Sequence, residues 1–495
     1  MLLAQESAQP VATQAVQAVQ PRLHALQPER SEGRTFPEQA IIAAISAMLT
    51  ISNPKNPLFM CIASFAVNSR NRETAFSPSR LFLCVYIAIF LRRAPRKPRR
   101  KKGVYFRKKG EITKEDRVDR EQEECYNLLI IGRTGNRSMR EPFRTWNAAI
   151  APQDTDAMAR AKAHWDGVAK PLDGLGKLET ALVRIAGVTG SERIALEKRT
   201  VLVLCADNGV VEEGVTQTDA SVTATMAKRI SEHRSSVCLM AKTAHADVIP
   251  VDLGMNTRVA GVLDLHAASG TQNMTKGPAM TEAQALAALE AGVRLAKLRK
   301  EAGDRILVTG EMGIGNTTTS SAIASVLLGL PVETVTGRGA GLSDAGLFRK
   351  RDAIRRAIEV NRPDPADAFD VLSKLGGFDL AGLAGLYIGA AMQRLPILID
   401  GLPSSVAALI AYRLVPNCRT AMLASHCSKE PVAQAILNEL GLDAILYADM
   451  KLGEGTGAVC MLPLLDMALS VYDGSVSFSE TGIEQYVPQG GEPSC

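Results

Sequence analysis

Six short apolar runs, at residues 201–205, 248–251, 306–308, 397–399, 420–423 and 444–446, are separated by stretches with helical spacing, and this alternation limits the chain more than any other feature. The runs are short and continuous, as expected of strands buried on both faces rather than of strands with one wet face. Between them the period changes: in Glu282–Glu301 the apolar residues Leu286, Leu289, Val293 and Ala296 recur at intervals of 3, 4 and 3. Strands joined by helices need crossover connections, so the sheet should be parallel and carry helices on both faces. The expected fold class is α/β, doubly wound, with a mostly parallel six-stranded sheet.

Open α/β sheets place their chemistry beyond the carboxyl ends of the strands, so the residues after each run come next. The first run is followed by Ala206-Asp207-Asn208-Gly209-Val210-Val211-Glu212-Glu213-Gly214, and the third by Gly310-Glu311-Met312-Gly313-Ile314-Gly315-Asn316-Thr317-Thr318-Thr319. Asp400-Gly401 follows the fourth, Ser425-His426-Cys427-Ser428-Lys429-Glu430 the fifth, and the sixth leads to Lys451-Leu452-Gly453-Glu454-Gly455-Thr456-Gly457-Ala458. Acids, hydroxyls and glycines thus gather at one rim. Glu454, one carboxylate among three glycines, is a candidate general base, although on local grounds the same residues also describe an ordinary turn with a solvated acid.

The 310–319 segment can present backbone N–H groups at a helix N-terminus, a suitable place for phosphate. It is neither G-x-x-x-x-G-K-[ST] nor G-x-G-x-x-G, because Thr318 stands at the last glycine position. Gly337 to Leu342 is a further glycine-rich segment and precedes a cationic helix at 348–356, from which Lys350 could reach a phosphate; a solvated face is the competing reading for those cations.

At 46% hydrophobic and 4% aromatic, with 40 glycines, the composition suits an Ala/Gly/Leu/Val-rich enzyme better than a sandwich or an aromatic binding surface. The nine cysteines form no C-x-x-C and no paired Cys/His spacing, which argues against a zinc site or a disulfide framework and fits a reducing cytoplasm. The six histidines are scattered and read as structural or solvated.

Charge divides the chain in two. Residues 1–138 hold 23 Lys/Arg against 12 Asp/Glu, while 139–495 hold 34 against 40. Most of the basic excess lies at 92–109, eleven Lys/Arg without an acid, directly after an apolar stretch at 81–91. That stretch is too short to span a bilayer, which needs about 20 residues as a helix. No nucleic-acid fold motif accompanies the basic run, so it reads as a solvated charge run, with no nucleic acid and no membrane among the expected partners. The expectation is a poorly ordered basic extension over 1–138, outside the functional region, and a catalytic region over 139–495.

Taken together, Pro171-Leu172-Asp173-Gly174-Leu175-Gly176-Lys177-Leu178-Glu179 and the segments at 206–214, 310–318, 337–342, 425–430 and 451–458 resemble the successive motifs of nicotinate-nucleotide–dimethylbenzimidazole phosphoribosyltransferases. The resemblance runs from about Met139 to Tyr472. It implies transfer of phosphoribose from nicotinate mononucleotide to dimethylbenzimidazole in cobalamin assembly. Under it, Glu454 removes the azole N–H proton while the other nitrogen attacks C1 of the ribose. Gly313, Gly315, Asn316 and Thr317 surround the phosphate, Glu311 lies near the reacting end, and Lys350 and Ser428 make phosphate or nucleotide contacts. Asp207 and Glu213 lie near the site.

The resemblance also implies a homodimer, a small helical domain built from both ends of the catalytic region, and chemistry that needs no metal or organic cofactor. Residues 215–223 depart from the family pattern by lacking its Pro and Gln while keeping a hydroxyl at Thr216, which leaves the acceptor open to another aromatic base. A nucleotide-dependent α/β oxidoreductase would share the fold but should carry a complete dinucleotide fingerprint.

Overall fold

The computed structural model describes residues 139–487; the stretches at 81–91 and 92–109, and the whole of 1–138, lie outside the described residues. Three helices come first: α1 (Glu141–Ala149), α2 (Thr155–Gly167) and α3 (Lys177–Thr189). Strand β1 (Arg199–Ala206) is followed by a 3-10 turn at Gly209–Glu213, helices α4 (Ser221–Ser231) and α5 (Ser236–Thr243), and strands β2 (Asp247–Gly254) and β3 (Leu263–Asp264). Helix α6 (Glu282–Glu301) leads into β4 (Ile306–Met312), then α7 (Asn316–Leu328), the single turn α8 (Val332–Val335), α9 (Asp344–Asn361), α10 (Ala368–Leu375) and α11 (Phe378–Met392). The remaining elements are β5 (Ile397–Ile399), α12 (Leu402–Leu414), a 3-10 helix at Pro416–Ala421, β6 (Met422–Ala424), α13 (Ala433–Leu440), α14 (Thr456–Gly474) and α15 (Phe478–Thr481).

The strands form one six-stranded sheet in the order β3-β2-β1-β4-β5-β6, and every pairing is parallel. The winding reverses between β1 and β4, which opens a crevice at their carboxyl ends. Five of the six apolar runs coincide with strands. The run at 444–446 does not: Leu446 makes an isolated parallel bridge with His426, and the amides of Ile445 and Leu446 both donate to the Ser425 carbonyl. Beyond Ala424 the chain bends into a loop, so no ladder continues there. The sixth strand is instead β3, two exposed residues beside β2 that no apolar run marks.

Strand β1 is buried at all eight residues. Leu202, Leu204 and Ala206 face a core shared with α6, α11 and α12, while Val201, Val203 and Cys205 face a second core built with α3, α4, α5 and α14. Helices therefore cover both faces. The two ends of the described chain meet in the second core: the Trp165 and Tyr472 rings are 5.0 Å apart, and Val168 bridges Ser477. This terminal helical layer is continuous with the sheet core.

Helix α14 is long and apolar enough by length and composition to cross a membrane. Its buried Met461, Leu462 and Leu465 lie in the same core as Val201 and Val203, which accounts for its apolarity as that of a sheet-covering helix.

Helices α6 and α11 cross backbone against backbone. An added Cβ at Gly385 would stand 1.9 Å from the Leu289 carbonyl, and one at Gly292 would stand 2.0 Å from the Gly382 carbonyl. Both obstacles are backbone, so a side chain can be accommodated only by moving a helix. Gly385→Ala should therefore destabilise the protein by about 1–3 kcal/mol, seen in urea unfolding as a lower midpoint with unchanged slope; an unaltered midpoint would show that the crossing is not tight.

Candidate active site

The crevice between β1 and β4 is walled by carboxylates. Glu311 ends the apolar part of β4, Asp379 sits in the first turn of α11, Asp400 follows β5, and Glu454 lies in the loop before α14; all four are buried. The glycine loop carrying Glu454 has three successive residues with left-handed backbone, Gly453 (φ 88°), Glu454 (φ 60°) and Gly455 (φ 92°). This region disfavours a residue with a Cβ, so surrounding contacts must hold Glu454 there.

Those contacts are specific. The Gly455 and Ala458 amides donate to Asp400 Oδ2 and Oδ1 at 3.1 and 3.0 Å, fastening the first turn of α14 to the end of β5. On the other side, β4 passes so close that a Cβ at Gly310 would meet the Glu454 carbonyl oxygen at 2.4 Å. A Cβ at Gly453 would meet Glu311 Oε1 at 2.6 Å, which places the Glu311 carboxyl against this loop.

Electrostatics follow from burial. Burial pushes the Glu454 carboxyl up and neighbouring Asp400 adds to the shift, while the Val237 amide and Ser235 hydroxyl oppose it. Glu454 Oε2 is buried without a hydrogen-bond partner. Burial raises Glu311 to about 8, against the stabilising Asn316 amide and with help from Asp379, Asp400 and Glu454. Asp379 is pushed up to about 6 by burial. A buried group of like charges cannot ionise fully, so part of the cluster stays protonated near neutral pH.

The second half of the site is the N-terminus of α7. Gly315 enters it with φ 96°, and no side chain caps the helix. Asn316 donates from its side chain to Glu311 Oε2, joining the helix start to the carboxylate group. In the next residue, Thr317 Oγ1 accepts from Lys350 Nζ at 2.9 Å. Lys350 reaches inward from α9, is 1% exposed, and has its ammonium pushed down to about 8 by burial. A Cβ at Gly339 would lie 2.9 Å from Thr317 Oγ1 and 3.4 Å from Lys350 Nζ, so the 337–342 segment passes directly beside this pair. The solvated-face reading of Lys350 is thus overturned.

The other sequence candidates are placed more distantly in their bonding. Ser428 is buried and bonds the Met450 carbonyl at 3.4 Å, linking its loop to the segment leading to Glu454. Asp207 is buried, accepts from the Asn256 amide at 2.7 Å, and is raised by burial. Glu213 is fully engaged: Arg356, Asn273 and Thr275 bond it at 2.7, 2.7 and 2.9 Å, and the Arg356 bond leads in pulling it down to about 2. Thr216 donates to the Thr218 carbonyl at 2.6 Å. The 171–179 motif leads into α3, where Glu179 in the first turn holds Lys170 and the Leu175 amide.

Three site residues carried no role in the sequence reading. Asp379 is the lone charge in the fifteen residues of α11, and a single acid in an apolar helix behind Gly376-Gly377 was a usable signal. Asp400 was visible after its strand, but its two amide partners lie more than fifty residues away. Asn208 is buried beside Gly313 and Gly377, its side chain a hydrogen-bond partner of Asp379, and no local pattern marks it. Among the described residues, no group of His, Cys, Asp and Glu is arranged to hold a metal ion.

The close approach at Gly310 makes the placement of Glu454 testable. Gly310→Ala should lower kcat of the reaction proposed below by about 10²-fold through displacement of the loop, with the far-ultraviolet circular dichroism retained. Full turnover would mean that the loop position does not matter.

Comparison with known proteins matches residues 150–483 to the DBI_PRT phosphoribosyltransferase family. The nicotinate-nucleotide–dimethylbenzimidazole phosphoribosyltransferase of Ruminiclostridium cellulolyticum is 41% identical over 342 residues, which are 69% of this chain and 97% of that protein. The protein of the same name from Desulforudis audaxviator is 45% identical over 339 residues, covering 68% of this chain and 96% of its own. The crystal structure of CobT from Thermus thermophilus superposes with a TM-score of 0.64 at 36% identity, covering 67% of this chain and 100% of that one. With a parallel sheet of this order, a glycine-held glutamate at its rim and relatives matched almost end to end, the chain belongs to the nicotinate-nucleotide–dimethylbenzimidazole phosphoribosyltransferase family.

Proposed function

We propose that this chain transfers the phosphoribosyl group of nicotinate mononucleotide to 5,6-dimethylbenzimidazole with inversion, giving α-ribazole 5'-phosphate and nicotinate for cobalamin assembly. The observation that carries this reading is the side-by-side arrangement of a buried, strained glutamate and an uncapped helix N-terminus with a buried lysine, joined through Glu311 and Asn316. A nucleotide phosphate fits the α7 end, where the helix dipole and Lys350 both favour an anion. Gly313, Gly315, Asn316 and Thr317 then surround it. The crevice beyond holds several carboxylates, which favours a substrate whose reacting end is cationic, as the pyridinium of nicotinate mononucleotide is.

Glu454 acts as the base. One azole nitrogen attacks C1 of the ribose while Glu454 takes the proton from the other. The bond to the pyridinium nitrogen breaks with its electron pair, so nicotinate departs neutral at that atom and needs no acid. Burial suits Glu454 to this role by raising its basicity toward the working pH. Placement of the two substrates supplies the rest of the acceleration. Ser428, Asp207, Glu213 and Thr216 belong to the surrounding substrate-binding region, with Thr216 on the acceptor side, where a related aromatic base is the alternative substrate. The reading includes a homodimer in the cytoplasm, a location that suits the five free cysteines among the described residues. It also takes 139–495 as the catalytic region and 1–138 as outside it; a protein starting at Met139 should fold and keep full turnover.

Incubating nicotinate mononucleotide with dimethylbenzimidazole should yield α-ribazole phosphate and free nicotinate, and no product from the wild type would overturn the function. Glu454→Gln should lower kcat by about 10²–10⁴-fold; unchanged turnover would remove the base assignment alone.

The pH profile has a defined sign. Glu454 works ionised and its carboxyl is raised, so kcat/KM falls as pH drops through a value above the ordinary glutamate range. Lys350 works charged and is pushed to about 8, so kcat/KM falls again as pH rises through about 8. Lys350→Arg should move only the basic limb, and Glu454→Gln should abolish only the acidic one.

A further inference from the structure

The geometry points to a second, hydrolytic site on this chain: Ser269, His266 and Asp252 form a nucleophile–base–acid triad at the β2–β3 edge of the sheet that cleaves short-chain carboxylic esters. Beyond β3 the chain keeps pairing with the end of β2, the amides of Leu265, Ala267 and Gly270 donating to the carbonyls of Asp252, Leu253 and Gly254. That pairing brings three side chains into line. The His266 ring has Nδ1 at 3.1 Å from Asp252 Oδ1 and Nε2 at 3.2 Å from Ser269 Oγ.

The roles follow from which atom can donate. A buried carboxylate can only accept, so Nδ1 carries the proton toward Asp252 and Nε2 is left as an acceptor for the Ser269 hydroxyl. Asp252 is 3% exposed and is itself fixed, Oδ1 accepting from the Met255 amide at 2.8 Å and Oδ2 from Arg258 at 3.1 Å. Arg258 also binds Asp264 Oδ1 at 2.6 Å, so the cation is shared between two carboxylates. Ser269 is exposed, which leaves its oxygen reachable from solvent. These are the base-to-nucleophile and orienter-to-base contacts that define such a triad wherever it occurs.

The step balances without any co-reactant but water. Ser269 Oγ bonds to the ester carbonyl carbon as its proton passes to His266 Nε2 and the carbonyl electron pair moves to oxygen. Collapse breaks the bond to the alcohol oxygen, which takes the proton from Nε2. Water then adds to the acyl carbon through the same base, and the carboxylic acid leaves Ser269 with its proton restored. The site lies on an open edge, so small acyl groups suit it.

The full-length protein should be treated with a fluorophosphonate probe, mapped by peptide mass spectrometry, and assayed with p-nitrophenyl acetate. Labelling should fall on Ser269, and Ser269→Ala should abolish it, lower ester hydrolysis at least tenfold and leave phosphoribosyl transfer unchanged. His266→Asn should reduce labelling of Ser269 to a similar extent. The proposal is overturned if Ser269 is unlabelled, if Ser269→Ala hydrolyses the ester as the wild type does, or if His266→Asn labels at the wild-type rate.

Discussion

The grip of Asp400 on the first turn of α14 is the interaction on which the candidate site depends. Two backbone amides, one on each side of Thr456, donate to its two oxygens, so the carboxylate fixes both the position and the direction of the helix start. Glu454 precedes that point by one residue and cannot adopt its left-handed backbone by preference. A residue in αL costs on the order of 1–3 kcal/mol, and such strain persists when the surroundings over-determine it. Asp400 from β5, Gly310 from β4 and Glu311 beside Gly453 supply that determination from two adjacent parallel strands. The candidate site is thereby built on the sheet rather than on the loop that carries Glu454.

The same crowding sets the charge state. Glu311, Asp379, Asp400 and Glu454 are all buried. Burial first of all raises Glu311 to about 8 and Asp379 to about 6, and at Glu311 the neighbouring carboxylates add to the rise. Keeping some of the cluster protonated lets the rest remain ionised in a low-dielectric crevice. A cationic substrate end entering there would relieve repulsion, and its conversion to a neutral leaving group would restore it.

Much of this was legible in the sequence. Continuous apolar runs betrayed strands buried on both faces because β1 does fill two cores at once. Glycines flanking Glu454 and preceding Asn316 marked places where backbone must turn with positive φ, a constraint local enough to be read residue by residue. The run at 444–446 was misleading because apolarity reports burial, and a buried loop bridging to His426 meets that condition without a ladder. Strand β3 gave no signal since its two residues are exposed and owe their strand geometry to β2 alone. Lys350 looked solvated because helix α9 is rich in cations, and only packing against Thr317 and Gly339 distinguishes it from its neighbours. The roles of Asp379 and Asn208 arise from contacts between distant segments, which spacing cannot encode.

Two helices begin at this crevice, α7 and α14, and each is entered through a left-handed glycine without a side-chain cap from its own N-cap residue. A helix start carries partial positive charge and unsatisfied amides, so two such ends would compete for any anion. Asp400 resolves the competition by satisfying α14 from within the protein. At α7 a cation, Lys350, is held on Thr317, while the neighbouring Asn316 bonds the Glu311 carboxyl through its side chain. One end is therefore neutralised and the other reinforced, which favours an anionic group at α7 over α14. That asymmetry, set by one aspartate and one lysine on otherwise similar glycine-entered helices, is what the proposed orientation of a phosphorylated substrate across the sheet rests on.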